Sequence, residues 1–130
     1  MKKILESIWP SIGWTALIFI LLSMPTDGVD GSGLFNIPHF DKVIHFFLFL
    51  VLSCFWGIYS SNQKPENQNF LLLLIVILGA AYGLGMEYYQ KFFTLRSFSY
   101  LDAAADAAGA IIGVFAVKKS PYGNRGRNQN

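Results

Sequence analysis

The sequence predicts an all-α, polytopic membrane protein: a bundle of about four transmembrane helices with an interfacial or re-entrant segment before the last. Composition is the first reason. Of 130 residues, 53% are hydrophobic, 16% aromatic and only 14% charged. Mean hydropathy is +0.41. A soluble domain carries roughly a quarter of its residues as charge, so this chain has too little polar surface to cover a globule in water. The second reason is patterning. Four apolar runs, roughly residues 8–24, 43–59, 70–89 and 100–117, stand near the window of about 17 to 25 residues that crosses the hydrocarbon core. The third is charge placement: Lys2 and Lys3 at one end and Lys118, Lys119, Arg125 and Arg127 at the other flank a middle that is nearly bare.

The first run follows two lysines as a signal peptide would, but Ser23-Met24-Pro25 offers no small-x-small cleavage site, so it reads as a retained span. Residues 25–33 are rich in Pro, Gly and Asp and form a loop. Asp27 and Asp30 fall short of a calcium loop, because the full ligand pattern with its closing Glu is absent. Residues 60–69 are polar, contain Pro65 and suit a short turn between antiparallel helices. The connection at 91–99 differs, since Lys91 and Arg96 alternate with Phe92, Phe93 and Phe98, as expected of a segment at the interface or dipping among the helices.

Residues 1–117 therefore read as a single transmembrane helical domain and 118–130 as a basic, disordered cytoplasmic tail. With four spans both termini share a side. That side collects Lys64 with the six terminal basic residues, seven against Lys42, Lys91 and Arg96 opposite, which places both termini in the cytoplasm. Membrane lipids are the expected partners. Nucleic acid is excluded, because no basic patch interleaves with aromatics. The lone Cys54 sits in an apolar run, which rules out an internal disulfide and marks an inert thiol. Small residues four apart, Gly79 with Gly83, Ala81 with Gly85, and Ala105, Gly109 and Gly113, predict stripes on which helices approach closely.

Ionisable groups inside a membrane cost on the order of 3 kcal/mol each, so each needs a partner or a purpose. Asp41 and Lys42 open the second span and His45 follows one turn on. Glu87 and Gln90 close the third span, Arg96 follows, and Asp102 and Asp106 open the fourth. All fall toward one face of the bilayer. They can neutralise one another as a structural network. They can equally line an outward-facing pocket, with His45 and Glu87 as proton acceptor and donor and Arg96 holding an anionic group. A metal site from His45, Glu87, Asp102 and Asp106 is stereochemically allowed. One histidine, no nearby thiolate and no zinc-type spacing argue against it, so no metal or cofactor is expected.

The runs Asp41-Lys42-Val43-Ile44-His45, Glu87-Tyr88-Tyr89-Gln90, and Arg96 followed by Asp102 through Gly109 resemble the VanZ-like family of small bacterial membrane proteins across residues 38–117. That pattern has D-K-x-x-H, E-x-x-Q, and R followed by D-x-x-x-N and a glycine pair. Asp106 departs from it, standing where the pattern has Asn, so it must be protonated or pair with Arg96, Lys42 or His45. The resemblance implies a multi-pass protein of the bacterial cytoplasmic or inner membrane. It also implies a link to teicoplanin-type glycopeptide susceptibility, and it assigns no reaction. The expected function is an envelope protein whose polar pocket binds an anionic lipid-linked or amphiphilic ligand. The alternatives are a membrane-embedded enzyme using acid–base chemistry on a lipid headgroup, with Asp102 orienting His45, and a structural membrane partner without ligand.

The charge bias sets a direct test of orientation. In a Cys54→Ser background, an impermeant maleimide applied to intact cells is expected to label Ser32→Cys and not Ser120→Cys. Labelling of the second alone would reverse the topology.

Overall fold

A computed structural model describes residues 1–25, 39–63 and 66–124, and among them every regular element is helical. In chain order these are α1 (Lys2–Leu5), α2 (Trp9–Ser23), α3 (Phe40–Asn62), α4 (Gln68–Phe93) and α5 (Tyr100–Lys119). The 26–38 loop with its aspartates, Lys64 with Pro65, and Arg125 with Arg127 lie outside the described residues.

Each boundary has a local cause. Pro10 sits in the first turn of α2, where its missing N–H breaks no bond. Met24, forced extended by the following Pro25, ends that helix. The α3–α4 turn is closed by the Gln68 side-chain amide donating to Ser61 Oγ at 2.9 Å. At the far end of α4, Leu95 takes the left-handed conformation (φ 58°) and turns the chain toward α5. Ser99 then caps α5, its Oγ accepting from the Asp102 N–H at 3.2 Å. Both α3 and α4 run a few residues past the apolar runs read from sequence, taking in the polar Asp41, Lys42, Gln68 and Gln90 at their ends, where Lys42, Gln68 and Gln90 find partners. α5 continues through Lys118 and Lys119, cations favoured at a helix C-terminus. Beyond it, Ser120 Oγ donates to Val117 O at 2.6 Å, and the Gly123 N–H donates to Ser120 O at 3.1 Å.

Three helices, α3, α4 and α5, are long and apolar enough to cross a membrane. Together they form an all-α polytopic bundle. α2 is apolar but has 15 residues, about 22 Å at ~1.5 Å per residue, short of a ~30 Å core. It lies along α3 and α4, held by side chains bonding to backbone. Trp14 donates to Leu48 O at 2.9 Å, Tyr82 to Thr15 O at 2.9 Å and Gln90 to Leu22 O at 3.0 Å. Between these bonds Ile18, Leu22, Phe49, Leu52 and Met86 form the apolar core.

α3 packs most extensively on α5, and the two run parallel: Gly109 lies against the Phe46 carbonyl, Gly113 against the Leu50 carbonyl, and Gly57 against Val117. On α4, Gly79 faces Ala110 and Gly83 faces Asp106, so α4 runs antiparallel to α5. The stripes containing Gly79, Gly83, Gly109 and Gly113 are thus contact faces. The Ala81 and Gly85 pair is not. Both are exposed and nothing lies within 4 Å of a Cβ at Gly85. With 3.6 residues per turn, that pair stands two positions, about 200°, around the helix from the buried stripe.

The two kinds of glycine should behave oppositely. Gly109→Ala drives a methyl into the Phe46 backbone and should cost about 1–3 kcal/mol. Gly85→Ala meets open space and should be neutral or stabilising by up to about 1 kcal/mol. Thermal unfolding in detergent checks both, and equal midpoints would place the α5 glycine face against lipid.

Candidate functional site

At the end of the bundle where α3 starts, α4 finishes and α5 starts, polar side chains converge. His45 on α3, Glu87 on α4 and Asp106 on α5 are 2%, 0% and 0% exposed. His45 Nδ1 lies within hydrogen-bond distance of Asp106 Oδ1 at 2.9 Å, and Glu87 Oε1 stands 3.9 Å from the same nitrogen. One helical turn nearer the end, Lys42 Nζ lies 3.1 Å from Asp102 Oδ1 and 3.3 Å from Asp41 Oδ2. Because α3 and α5 are parallel, these contacts form two rungs between them, Lys42 to Asp102 and His45 to Asp106.

The rungs exist because the backbones come close. An aspartate is short, and it reaches His45 only because Gly109, less than one turn on, lets α5 rest on the Phe46 carbonyl. From the other side Gly83 makes room. A Cβ there would fall 2.5 Å from Asp106 Oδ2.

Glu87 is bound to the start of α5 by its second oxygen, which accepts the Ser99 N–H at 3.0 Å. In a capping box the acid three residues after the cap would take that N–H. Here Asp102 occupies that position, but Glu87 takes the bond, and Asp102 is released to face Lys42. Ser99 is therefore part of the site, although the sequence reading passed over it. The signal was present, since Ser99-Tyr100-Leu101-Asp102 fits the helix-start pattern S-x-x-D. Gly83 was read as packing alone, and no pattern in α4 marks it as facing an acid.

The sequence-named residues thus separate into groups. His45, Glu87 and Asp106 meet. Asp41, Lys42 and Asp102 form a neighbouring ion-pair set. Gln90 is buried but serves packing, donating to α2 through its side chain while its carbonyl accepts from Thr94 Oγ1 at 2.8 Å. Arg96 is half-buried and makes no ion pair or hydrogen bond with another described residue, so the expectation that it holds the carboxylates is replaced by Lys42 and His45. Arg96 precedes α5 and stands beyond the outer rung. Asp106, not Asp102, orients His45, because Asp102 lies a full turn too far along α5. Around Arg96 the rim is apolar, with Phe92, Phe93 and Leu95 exposed and Phe98 packed between Tyr88 and Tyr100 at ring distances of 4.9 and 4.7 Å.

An apolar cavity of about 240 Å³ lies elsewhere, bounded by Thr15, Ser53, Trp56, Gly79 and Tyr82, and no member of the polar site lines it.

Residues 3–119 match the VanZ/LLP1 family. A protein of the fission yeast Schizosaccharomyces pombe, "Uncharacterized protein C11E3.10", is 32% identical over 93 residues, which are 71% of this chain and 55% of the yeast protein. This chain thus spans about half the length of that relative. No solved structure matches.

A double-mutant cycle separates the ion pairs. Lys42→Met and Asp102→Asn should couple by about 0.5–3 kcal/mol in detergent stability, whereas Arg96→Gln and Asp102→Asn should add within about 0.5 kcal/mol. Coupling in the second cycle alone would reassign the partner of Asp102.

Proposed function

The chain belongs to the VanZ/LLP1 family, and on that premise we propose that it binds an anionic lipid-linked or amphiphilic ligand at the end of the bundle where the polar groups converge. One observation carries this reading. Arg96 is a half-buried cation with no counter-ion among the described residues, while every acid around it already has a donor. A guanidinium offers a planar fork that fits phosphate or carboxylate. The exposed Phe92, Phe93 and Leu95, which precede it in the chain, supply apolar contact for the tail of an amphiphile. Lys91, also exposed in this rim, adds positive charge.

In this reading the protein sits in a bacterial cytoplasmic membrane, the short α2 makes a fourth crossing where the bilayer thins around it, both termini lie inside, as the basic-residue bias favours, and Arg96 faces outward. Occupancy of the site by a lipid-linked anion then alters how teicoplanin-type compounds behave at the cell envelope. The enzyme alternative draws support from His45 lying between two carboxylates, an arrangement suited to proton transfer. It is the weaker reading, because all three groups are closed off inside the bundle and a headgroup would have to displace the Ser99 segment to reach them. A purely structural role leaves Arg96 without a purpose.

The expected outcome is specific to Arg96. Native mass spectrometry of the protein with mixed phosphatidylglycerol, polyprenyl phosphate and phosphatidylcholine should show retention of the anionic lipids. Arg96→Gln should weaken that preference about tenfold, the scale of one hydrogen bond to a charged group at ~1.5 kcal/mol, with no change in thermal midpoint. Arg96→Lys should recover part of it. An unchanged preference in Arg96→Gln would remove the proposal.

A further inference from the structure

We infer that His45, Glu87 and Asp106 form a binding site for one divalent first-row metal ion, with one ligand contributed by each membrane-spanning helix. The inference stands apart from the anionic-ligand reading, which rests on Arg96.

Three observations converge on it. The donor atoms of these residues all lie within 4.8 Å of one another. Two atoms bound to the same ion at about 2.1 Å stand roughly 3.0 Å apart at right angles and up to about 4.2 Å when opposite. The 2.9 Å between His45 Nδ1 and Asp106 Oδ1, and 3.9 Å between His45 Nδ1 and Glu87 Oε1, lie close to that range. The widest separation, up to 4.8 Å, exceeds that span, so binding an ion draws the two carboxylates closer together.

The second observation is unspent bonding capacity. Glu87 Oε1 and Asp106 Oδ2 are buried and accept no hydrogen bond from the described residues. They belong to the same three side chains. His45 Nε2 is likewise buried without a partner among the described residues. Buried polar atoms left unpartnered are costly, and an ion held by these side chains would offset part of that cost.

The third is charge. Two acids, each 0% exposed, face a single histidine in a membrane-spanning bundle. Lys42 is the nearest ammonium and is already engaged with Asp102 and Asp41. A divalent cation with a neutral imidazole and two carboxylates sums to zero, the state that low dielectric favours. The Ser99 N–H then acts on Glu87 Oε2 as an outer-shell donor, fixing the carboxylate that would ligate through Oε1. One nitrogen and two oxygens, without a thiolate, suit zinc or manganese rather than a soft ion. The spacing 45, 87 and 106 has no zinc-type regularity because the ligands come from three separate helices.

Asp106→Asn separates ligation from packing. An amide is a poor ligand beside a carboxylate, yet it has nearly the same size and shape, so the variant is expected to fold.

The test uses the full chain, tag-free, purified in detergent, stripped with chelator and dialysed against zinc, manganese or cobalt chloride. Elemental analysis should find about one zinc or manganese per chain and at least tenfold weaker binding in Asp106→Asn and in His45→Gln. Asp41→Asn, which alters only the neighbouring ion pair, should bind like the parent. Cobalt should give visible bands of nitrogen and oxygen ligation without thiolate charge transfer, a readout on the parent protein that needs no variant to fold. Metal content equal in the parent and Asp106→Asn, or a cobalt spectrum unchanged in His45→Gln, would overturn the site. Substoichiometric metal in the parent after dialysis would overturn it as well.

Discussion

The distance between the α3 and α5 backbones governs everything polar in this bundle. Where Gly109 and Gly113 rest on the carbonyls of Phe46 and Leu50, the two helices touch main chain to main chain. That contact supplies dispersion and packing where the hydrophobic effect gives no drive between helices already in lipid. It also sets the reach of short side chains. Aspartates at 102 and 106 meet Lys42 and the His45 imidazole on α3 without long, flexible stems of their own, so the acids lose little rotamer entropy on pairing. Gly83 plays the same part from α4. A handful of absent side chains thus decides where the ionisable ones can be buried.

Much of the site was legible from sequence because lipid is an unforgiving solvent for charge. Ionisable residues in apolar runs must be partnered, and the spacing of Asp41, Lys42, His45, Glu87, Asp102 and Asp106 placed them at one face of the bilayer. The pairing was less legible. Spacing along one helix states which face a residue occupies, but not how deep its partner lies on another helix. Lys42 and Asp102 proved level with each other, as did His45 and Asp106, and Arg96 fell outside both rungs because α5 begins only at Tyr100. The handover at Ser99 was hidden for a similar reason. Its helix-start pattern is local and readable, whereas the replacement of Asp102 by Glu87 as acceptor depends on where α4 ends. The helices themselves were readable from hydropathy, with α2 the exception in length.

Relatives place the chemistry in context. A yeast protein shares about a third of its residues with this chain over the matched region. The rungs and the rim are separable in structure: one is sealed between helices, and the other is open at the end of the bundle. Substitutions in either can change without forcing change in the other, the usual way a fold comes to host several functions.

The parallel pairing of α3 with α5 also has a consequence for biogenesis. α5 is the least apolar of the three spanning helices and carries two acids, so it is the poorest candidate to enter a bilayer unaided. Its partners, Lys42 and His45, arrive some 60 residues earlier in synthesis on α3, where Lys42 already has Asp41 beside it and His45 waits for Asp106. Each helix supplies what the other lacks. Entry of the last span is thus favoured by association with helices made before it, and a chain interrupted before residue 100 would leave Lys42 without Asp102 and His45 without Asp106.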